Sequence, residues 1–367
     1  MEQELSLSTP RAAEVLPAGS VVGGYRITGL IGRGGFGIVY RAESLANGAT
    51  VAIKEFFPAD IAGRVHGRLA PRKPELQEAL LKGIERFSQE AALLSELSHP
   101  ALVSVIETWR ESGTAYLAMT FYDGVTLRRL REALAAPPSE DQLRAWFEPI
   151  IDAVLELHVR RVIHRDISPD NILICRDGRS VLLDLGAARQ VLGGMTQALT
   201  TVLKPGYAPI EQYVDDGSMS QGRWTDVYGL AGTLFFAVTG QAPVTATSRL
   251  VRDTQPDLAS LPAARHLRPA FCAGVMRGLA VRAIERPKSL PEFKTALGWG
   301  APPGSVEFQL LESDPTPSEA ASLTSLSARQ TASAPVGSTR QTRRSNWRVA
   351  VLALGVAAVL WALWLAR

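Results

Sequence analysis

Three polar side chains in the middle of the chain have the types and spacing needed for phosphoryl transfer. The stretch HRDISPDN contains Asp166, whose carboxylate could accept or orient a hydroxyl proton, and Asn171, whose amide oxygen could bind a metal ion. Asp184 follows an apolar run and precedes a glycine, and its carboxylate suits Mg²⁺. Two oxygen ligands from separate turns, completed by phosphate and water, predict a magnesium site, with Mn²⁺ as the alternative ion.

A glycine cluster and a strand lysine could hold the phosphates of a nucleotide. The glycines of the segment GRGGFGIV, residues 32–39, would let backbone N–H groups approach phosphate oxygens. The segment lies within a predicted hairpin rather than between a strand and a helix, which disfavours a dinucleotide-binding turn. Lys54 ends the predicted strand VAIK, and Glu90 of the following helix could orient it. Residues near 60–75 lengthen this interval, and the pattern assigns them no role.

The elements that must position these groups predict two lobes. Alternating apolar residues around glycine-rich turns predict strands before Gly124, interrupted by one helix with apolar residues at every third or fourth position. After Gly124 the periodicity is mostly helical. We therefore predict an α+β fold with a small β-rich lobe, a larger helical lobe and a crossing at MTFYDG, residues 119–124.

Composition limits the classes of function. The chain has 367 residues, 46% of them hydrophobic, and a net charge of +3, which does not favour a nucleic-acid binder. Cys175 and Cys272 lie far apart in apolar stretches, which predicts two buried thiols in a reducing compartment. No metal-ligand spacing involves these cysteines or the five histidines.

The C-terminal part of the sequence predicts a linker and a membrane anchor. Residues 300–346 are rich in Ser, Thr, Pro and Ala, so we expect a disordered linker whose hydroxyls could carry phosphate for a phosphopeptide-binding partner. Residues 349–366 contain no charge, and as a helix they would span roughly 27 Å, close to the hydrocarbon thickness of a bilayer. Arginines precede this span, which predicts that the bulk of the chain is cytoplasmic. The first residues lack the pattern of a signal peptide.

The conjunction of these motifs resembles the eukaryotic-type (Hanks-type) serine/threonine protein kinase family, and in particular its bacterial, membrane-anchored branch. The matching residues are Gly32, Gly34, Gly37, Lys54, Glu90, His164-Arg165-Asp166, Asn171 and Asp184-Leu185-Gly186. The resemblance implies ATP and protein substrates, with Asp166 as the base, Lys54 and Glu90 at the phosphates, and Asn171 and Asp184 on the metal. It also implies a nucleotide site formed by Ile31, Gly32, Gly34, Gly35, Phe36, Gly37, Val39, Ala52, Lys54 and the backbone of Thr120 and Tyr122.

Three further correspondences concern control and positioning. The resemblance implies that Asp226 supports the catalytic loop and that Arg286 pairs with Glu211. It also suggests that Arg165 pairs with a phosphate on the activation loop, for which the candidate residues are Thr196, Thr200 and Thr201.

Two positions depart from the family pattern. Ser168 stands where the catalytic loop usually carries Lys, and Lys204 stands where the activation segment usually carries Thr. Our hypothesis is a swap, in which Lys204 returns the ammonium to the active site with the Ser168 hydroxyl as its partner. Two independent losses are the alternative.

These observations predict four segments. They are an N-terminal tail (1–23), a kinase domain (24–299, with lobes 24–124 and 125–299), the linker (300–346) and the anchor (347–367). We expect a membrane-tethered serine/threonine kinase at the inner (plasma) membrane, with its kinase domain in the cytoplasm, that autophosphorylates. An ATP-binding pseudokinase scaffold is the main alternative, and a small-molecule kinase is a second one.

Overall fold

The part of the chain described by the structure divides into a β-rich N-terminal lobe and a helical C-terminal lobe, as predicted. The computed structural model describes residues 14–184, 203–214 and 219–300. Within these ranges the strands are β1 (Val21–Val22), β2 (Tyr25–Arg33), β3 (Gly37–Ser44), β4 (Thr50–Phe56), β5 (Ala62–Val65), β6 (Arg68–Pro71), β7 (Val105–Glu111), β8 (Thr114–Thr120), β9 (Gly124–Thr126), β10 (Ile172–Cys175) and β11 (Ser180–Leu182). The helices are α1 (Gln77–Ser95), α2 (Leu127–Ala133), α3 (Glu140–Val159), α4 (Arg223–Thr239), α5 (Ala246–Val251), α6 (Pro269–Gly278) and α7 (Leu290–Ala296).

The N-terminal lobe is built on one antiparallel sheet with the strand order β1-β2-β3-β4-β8-β7. Strand β8 lies between two neighbours and is buried on both faces up to its last residue. The predicted Ser-Gly turn joins β7 to β8, and both Ser112 and Gly113 have positive φ, at 51° and 79°. That conformation suits a tight hairpin turn. The sheet begins with β1, before the predicted domain start at residue 24.

Helix α1 packs its apolar face against this sheet. Its buried residues recur at helical spacing and include Leu80, Ile84 and Phe87. A Cβ on Gly83 would lie 2.5 Å from the ring of Phe56, so only glycine allows the helix to approach β4 this closely. The same helix carries Glu90 toward the interior, where it is 7% exposed.

The unexplained residues near 60–75 form a separate hairpin, β5–β6, that covers the N-terminal lobe. Its Arg64 donates to both carboxylate oxygens of Glu55, at 2.9 and 2.8 Å. Glu55 is fully buried in β4 and also accepts hydrogen bonds from Tyr40 and Tyr116. The hairpin therefore supplies the counter-charge for a buried carboxylate, because an ion placed in a protein interior needs a partner.

Helix α4 forms the centre of the C-terminal lobe. It is buried from Thr225 to Val238, and Gly240, with φ at 74°, ends it in the left-handed conformation. Helix α3 lies alongside and is capped at its N-terminus by Ser139, whose hydroxyl accepts from the backbone N–H of Gln142 at 3.2 Å. This packing leaves the loop between α3 and β10 at the face toward the N-terminal lobe, where the catalytic motif lies.

Several predicted features fall on residues outside the described ranges. They are Leu185, Gly186, the candidate phosphorylation sites Thr196, Thr200 and Thr201, the linker after residue 300, and the anchor. Among the helices that the structure does describe, none has the length and apolar character needed to cross a membrane.

Candidate active site

A cleft of about 930 Å³ brings the predicted nucleotide and metal residues together. It is lined by segments of the N-terminal sheet, by the crossing after β8 and by the ends of β10 and β11. The lining residues that the sequence predicted are Ile31, Gly32, Gly34, Gly35, Phe36, Gly37, Val39, Ala52, Lys54, Glu90, Thr120, Tyr122, Asn171, Asp184 and Lys204. Asp166 lies behind Asn171 and Lys204 and contacts both. The predicted residues therefore form one site.

The glycine loop between β2 and β3 closes the top of the cleft. The backbone N–H of Gly34 donates to the carbonyl of Gly37 at 2.8 Å, which closes the turn. A Cβ at Gly37 would lie 2.8 Å from the carbonyl oxygen of Glu55, so this position excludes a side chain. Around Gly35 a Cβ would meet nothing, which leaves the tip open to a ligand.

The predicted ion pair between Lys54 and Glu90 is not formed in this structure. Lys54 Nζ instead lies 2.8 Å from Asp184 Oδ1, and the ring of Phe87 lies 5.8 Å from the same ammonium. Phe87 precedes Glu90 by almost one turn of α1, so this helix presents an aromatic face to the lysine, and the nearer carboxylate is that of Asp184. Both Lys54 and Glu90 still line the cleft.

Asp226 supports the catalytic loop, as the family resemblance implied. Its carboxylate accepts the backbone N–H groups of His164 at 2.9 Å and Arg165 at 2.8 Å, and His158 Nε2 lies 2.8 Å from it. Arg165 has φ at 68°, a costly conformation for a residue with a side chain. The two hydrogen bonds that these N–H groups donate to Asp226, in the first turn of α4, offset this strain and hold the backbone that precedes Asp166.

His164 links this loop to β11. Burial lowers the pKa of His164, despite the nearby carboxylates of Asp226 and Asp166, and favours the neutral ring. A neutral ring fits its contacts: Nδ1 accepts from the backbone N–H of Asp166 at 3.3 Å, and Nε2 donates to the carbonyl of Leu183 at 3.2 Å. The imidazole thus ties the backbone of Asp166 to the backbone of Leu183, the residue before Asp184.

Asn171 orients the carboxylate of Asp166. Its Nδ2 donates to the backbone carbonyl of Asp166 at 2.8 Å and to Asp166 Oδ2 at 2.5 Å. Both residues are buried, with exposures of 6% and 8%. Because the amide nitrogen faces Asp166, the amide oxygen faces the cleft, as a metal ligand would require.

Lys204 reaches this pair from the activation segment. Its Nζ donates to Ser168 Oγ at 2.7 Å and to Asn171 Oδ1 at 3.0 Å, and it lies 3.7 Å from Asp166 Oδ2. The contact predicted between Lys204 and Ser168 is therefore present. Ser168 is fully buried, so its side chain has no room to vary in position.

A buried ion pair anchors the end of the activation segment. Arg286 donates to both oxygens of Glu211, at 2.7 and 3.1 Å, which confirms the predicted pairing. Arg286 also donates to three backbone carbonyls and lies over the ring of Tyr228 at 4.9 Å. Thr225 donates to Glu211 Oε1 at 3.0 Å. Nearly every polar atom of the pair has a partner, which lets both charges remain inside the lobe.

The donor set of the site fits a divalent cation that takes most of its ligands from phosphate and water. Asn171 Oδ1 and Asp184 Oδ1 are each in contact with a lysine ammonium. Each oxygen therefore already binds a positively charged group, as a metal ligand does. Asp184 has φ at 46°, a strained conformation often found at functional positions. Across the described ranges no group of three or more His, Cys, Asp or Glu suits a metal.

The crossing after β8 contains the residues predicted to contact adenine, Thr120 and Tyr122. The backbone N–H of Thr120 donates to the carbonyl of Ser104 at 3.0 Å, so this N–H is not available to a base edge. The hydroxyl of Tyr122 accepts from the N–H of Ser104 at 3.2 Å, which fixes the tyrosine beside the cleft. The sequence analysis missed apolar lining residues, namely Val103, Leu173 and Leu183. Leu173 lies in β10, two positions after Asn171, and both residues line the cleft.

Comparison with known sequences identifies the family. The sequence model of the protein kinase domain matches residues 25–264, more than half of the chain. The chain belongs to the protein kinase family. It is 28% identical over 303 residues to the serine/threonine-protein kinase Pkn1 of Myxococcus xanthus, covering 78% of this chain and 40% of that protein. It is 30% identical over 251 residues to the probable serine/threonine-protein kinase PknB of Lactococcus lactis, covering 67% of this chain and 36% of that protein. The chain thus spans less than half the length of these two relatives.

Comparison with solved structures supports the same family. The structure described as the PpkA-294 apo form superposes with a TM-score of 0.71 and 36% sequence identity, covering 77% of this chain and 99% of that one. The kinase domain of Mycobacterium tuberculosis PknI superposes with a TM-score of 0.57 at 22% identity, which shows a shared fold. The two-lobed kinase fold predicted from the sequence is therefore confirmed.

Proposed function

We propose that this protein is an ATP-dependent kinase that transfers the γ-phosphate to serine or threonine hydroxyls of proteins. One observation carries the proposal: Asp166, Asn171 and Lys204 converge within 3.7 Å of one another at the end of a cleft that also holds Lys54 and Asp184. An oriented carboxylate beside a metal ligand and an ammonium is the arrangement that phosphoryl transfer needs. Nucleotide binding alone would not need the oriented Asp166.

Each side chain of the site has a separate role in the proposed reaction. Asp166, held by Asn171, accepts the proton of the substrate hydroxyl. Lys54 balances charge on the nucleotide phosphates, and Asp184 orients Lys54. A divalent ion, when bound by Asn171 and Asp184, supplies further neutralisation of the phosphate oxygens.

Lys204 takes, in this proposal, the role that the catalytic-loop lysine has elsewhere in the family. Its ammonium offsets the negative charge that develops on the transferring phosphoryl group, and it is already in place before the reaction. The hydroxyl of Ser168 accepts a hydrogen bond from this ammonium and holds it in position. The proposal therefore treats the two departures from the family pattern as one compensated change.

Incubation with Mg-ATP and a generic basic protein tests the activity. The full chain, Asp166→Asn and the exposed control Asp177→Asn would be compared, with phosphorylated residues mapped by mass spectrometry. We expect phosphate on Ser and Thr, in the substrate and in the chain itself, for the wild type and for Asp177→Asn but not for Asp166→Asn. Clear ATP binding with no transfer by the wild type would contradict the proposal and support an ATP-binding scaffold.

We further propose that residues 349–366 anchor the protein in the plasma membrane with the kinase domain in the cytoplasm. The support is the uncharged apolar sequence, the arginines before it and the tryptophans near its two ends. Phosphorylated Ser and Thr of the linker would then recruit a phosphopeptide-binding partner close to the membrane.

A further inference from the structure

Three arginines from different elements converge on one residue that precedes the sheet, Glu14. Arg33, the last residue of β2 within the glycine loop, and Arg72, just after β6, donate to opposite oxygens of its carboxylate, the latter at 2.5 Å. The backbone carbonyl of Glu14 accepts from Arg64 Nε at 3.0 Å. The Glu14 side chain is only 9% exposed. The sequence analysis predicted this segment to be part of an N-terminal tail (1–23).

The glycine loop is attached to the same region through its backbone. The N–H of Phe57 donates to the carbonyl of Phe36 at 2.9 Å, and the N–H of Ala59 donates to the carbonyl of Gly35 at 3.3 Å. Arg72 Nε in turn donates to the carbonyl of Ala59 at 2.8 Å. The loop, the start of the β5–β6 hairpin and Glu14 therefore form one connected network.

The charges in this network require Glu14. The guanidinium groups of Arg33 and Arg64 lie 5.7 and 5.4 Å from the centre of the same ring, that of Phe57. Arg33 and Arg72 both bind the Glu14 carboxylate, whose negative charge offsets the repulsion between these two guanidinium groups. Burial disfavours the charged form of Glu14, but hydrogen bonds from Arg33 and Arg72 outweigh it and lower its pKa. Glu14 is therefore ionised at neutral pH and holds the two arginines together.

We propose that Glu14 is a positioning residue for the nucleotide: it fastens the glycine loop, through Arg33, to the β5–β6 hairpin. The loop then needs no ordering when ATP binds, which increases the affinity. The inference rests on the proposed use of ATP but not on phosphate transfer. It also gives the hairpin a second function besides the neutralisation of Glu55.

The test is direct titration of the full chain with Mg-ATP, together with kinetics. We expect Glu14→Gln to raise the Kd for ATP about five- to tenfold, since it loses a pair of charge-assisted hydrogen bonds. The KM for ATP should rise in parallel, while kcat and the KM for the protein substrate stay within about twofold. Hydrogen exchange of residues 32–37 should become faster. Because binding is measured directly, failure of the kinase proposal would not obscure the result.

Arg72→Ala is the second variant, and it stands in if Glu14→Gln fails to fold. Arg72 does not line the cleft, so any effect on ATP affinity must be transmitted through its contacts with Glu14 and with the carbonyl of Ala59. Arg68→Ala in the same hairpin is the matched control. Arg68 is exposed and lies outside the network, so its substitution removes a charge but none of the network's contacts. We expect Arg72→Ala to weaken ATP binding, Arg68→Ala to leave it unchanged, and the double variant Glu14→Gln/Arg72→Ala to be no weaker than Glu14→Gln. Wild-type affinity in either single variant, or fully additive effects, would overturn the proposal.

Discussion

Lys204 shows how a single residue can take over the position of another. Its ammonium lies 2.7 Å from Ser168, so a charge supplied by the activation segment reaches the place where the family usually has a loop lysine. This contact involves two residues that are far apart in the chain but were predicted from paired departures in the sequence. Its catalytic role is a prediction that substitution can test.

Lys204→Ala should lower kcat about 100-fold while changing the KM for ATP by less than about threefold, because the lost stabilisation is specific to the transition state. Single-turnover kinetics would measure this split. The swap Ser168→Lys/Lys204→Thr should recover much of the lost rate by returning the ammonium to the loop. Unchanged phosphotransfer in Lys204→Ala would remove the hypothesis.

The buried ion pair between Arg286 and Glu211 contributes to the stability of the C-terminal lobe. The two side chains are 0% and 2% exposed. Removal of one partner leaves the other charge buried, so Arg286→Ala should lower the free energy of unfolding by about 3–5 kcal/mol. The exposed pair Arg277–Glu292 is the matched control, and Arg277→Ala should cost less than about 1 kcal/mol.

Urea unfolding of the two variants would measure both values. Replacing both members, as Arg286→Met/Glu211→Leu, should recover a large part of the stability lost in Arg286→Ala. Equal costs for Arg286→Ala and Arg277→Ala would show that the buried pair is not the anchor described above.

At the scale of elements, the β5–β6 hairpin acts on the N-terminal lobe through Arg64. Its guanidinium is the counter-charge of Glu55, which is buried with the hydroxyls of Tyr40 and Tyr116. Burial raises the pKa of Glu55, and the hydrogen bonds and charge of Arg64 oppose that rise. The hairpin is thus part of the core of this lobe and not an appended loop.

Arg64→Met should therefore destabilise the protein by about 2–4 kcal/mol, because Glu55 would lose its counter-charge inside the lobe. Thermal unfolding compared with Arg68→Met in the same hairpin would measure the difference. Adding Glu55→Gln to Arg64→Met should restore part of the loss. A loss that Glu55→Gln does not reduce would contradict this role of the hairpin.

At the scale of the whole molecule, the proposed anchor determines where the kinase domain works. Deletion of residues 347–367 should move the protein from the membrane fraction to the soluble fraction, because the apolar span is lost. Fractionation and immunoblotting of cells that produce each form would measure this. Deletion of residues 320–340 in the linker is the control and should leave the protein in membranes. Full-length protein in the soluble fraction would contradict the anchor.

The lobes, the crossing and the cleft residues could be predicted because each motif is local in sequence. Lys54, Asp166 and Asn171 lie in short sequence motifs, and the chemistry of these motifs can be inferred from the sequence alone. The contacts that Glu14 makes with Arg64 and Arg72 could not be predicted, because these residues are distant in the chain and follow no periodicity. The Lys54–Glu90 pairing was wrong for this structure because family spacing does not determine which carboxylate a flexible lysine selects.

The position of Lys204 has a consequence for chemical inhibition. In a kinase whose loop lysine follows the catalytic aspartate, both charges stay together however the activation segment moves. Here Asp166 and Lys204 belong to two separate segments. A compound that displaces the Lys204 ammonium from Ser168 would separate the two charges, and relatives that keep the loop lysine would be insensitive to it.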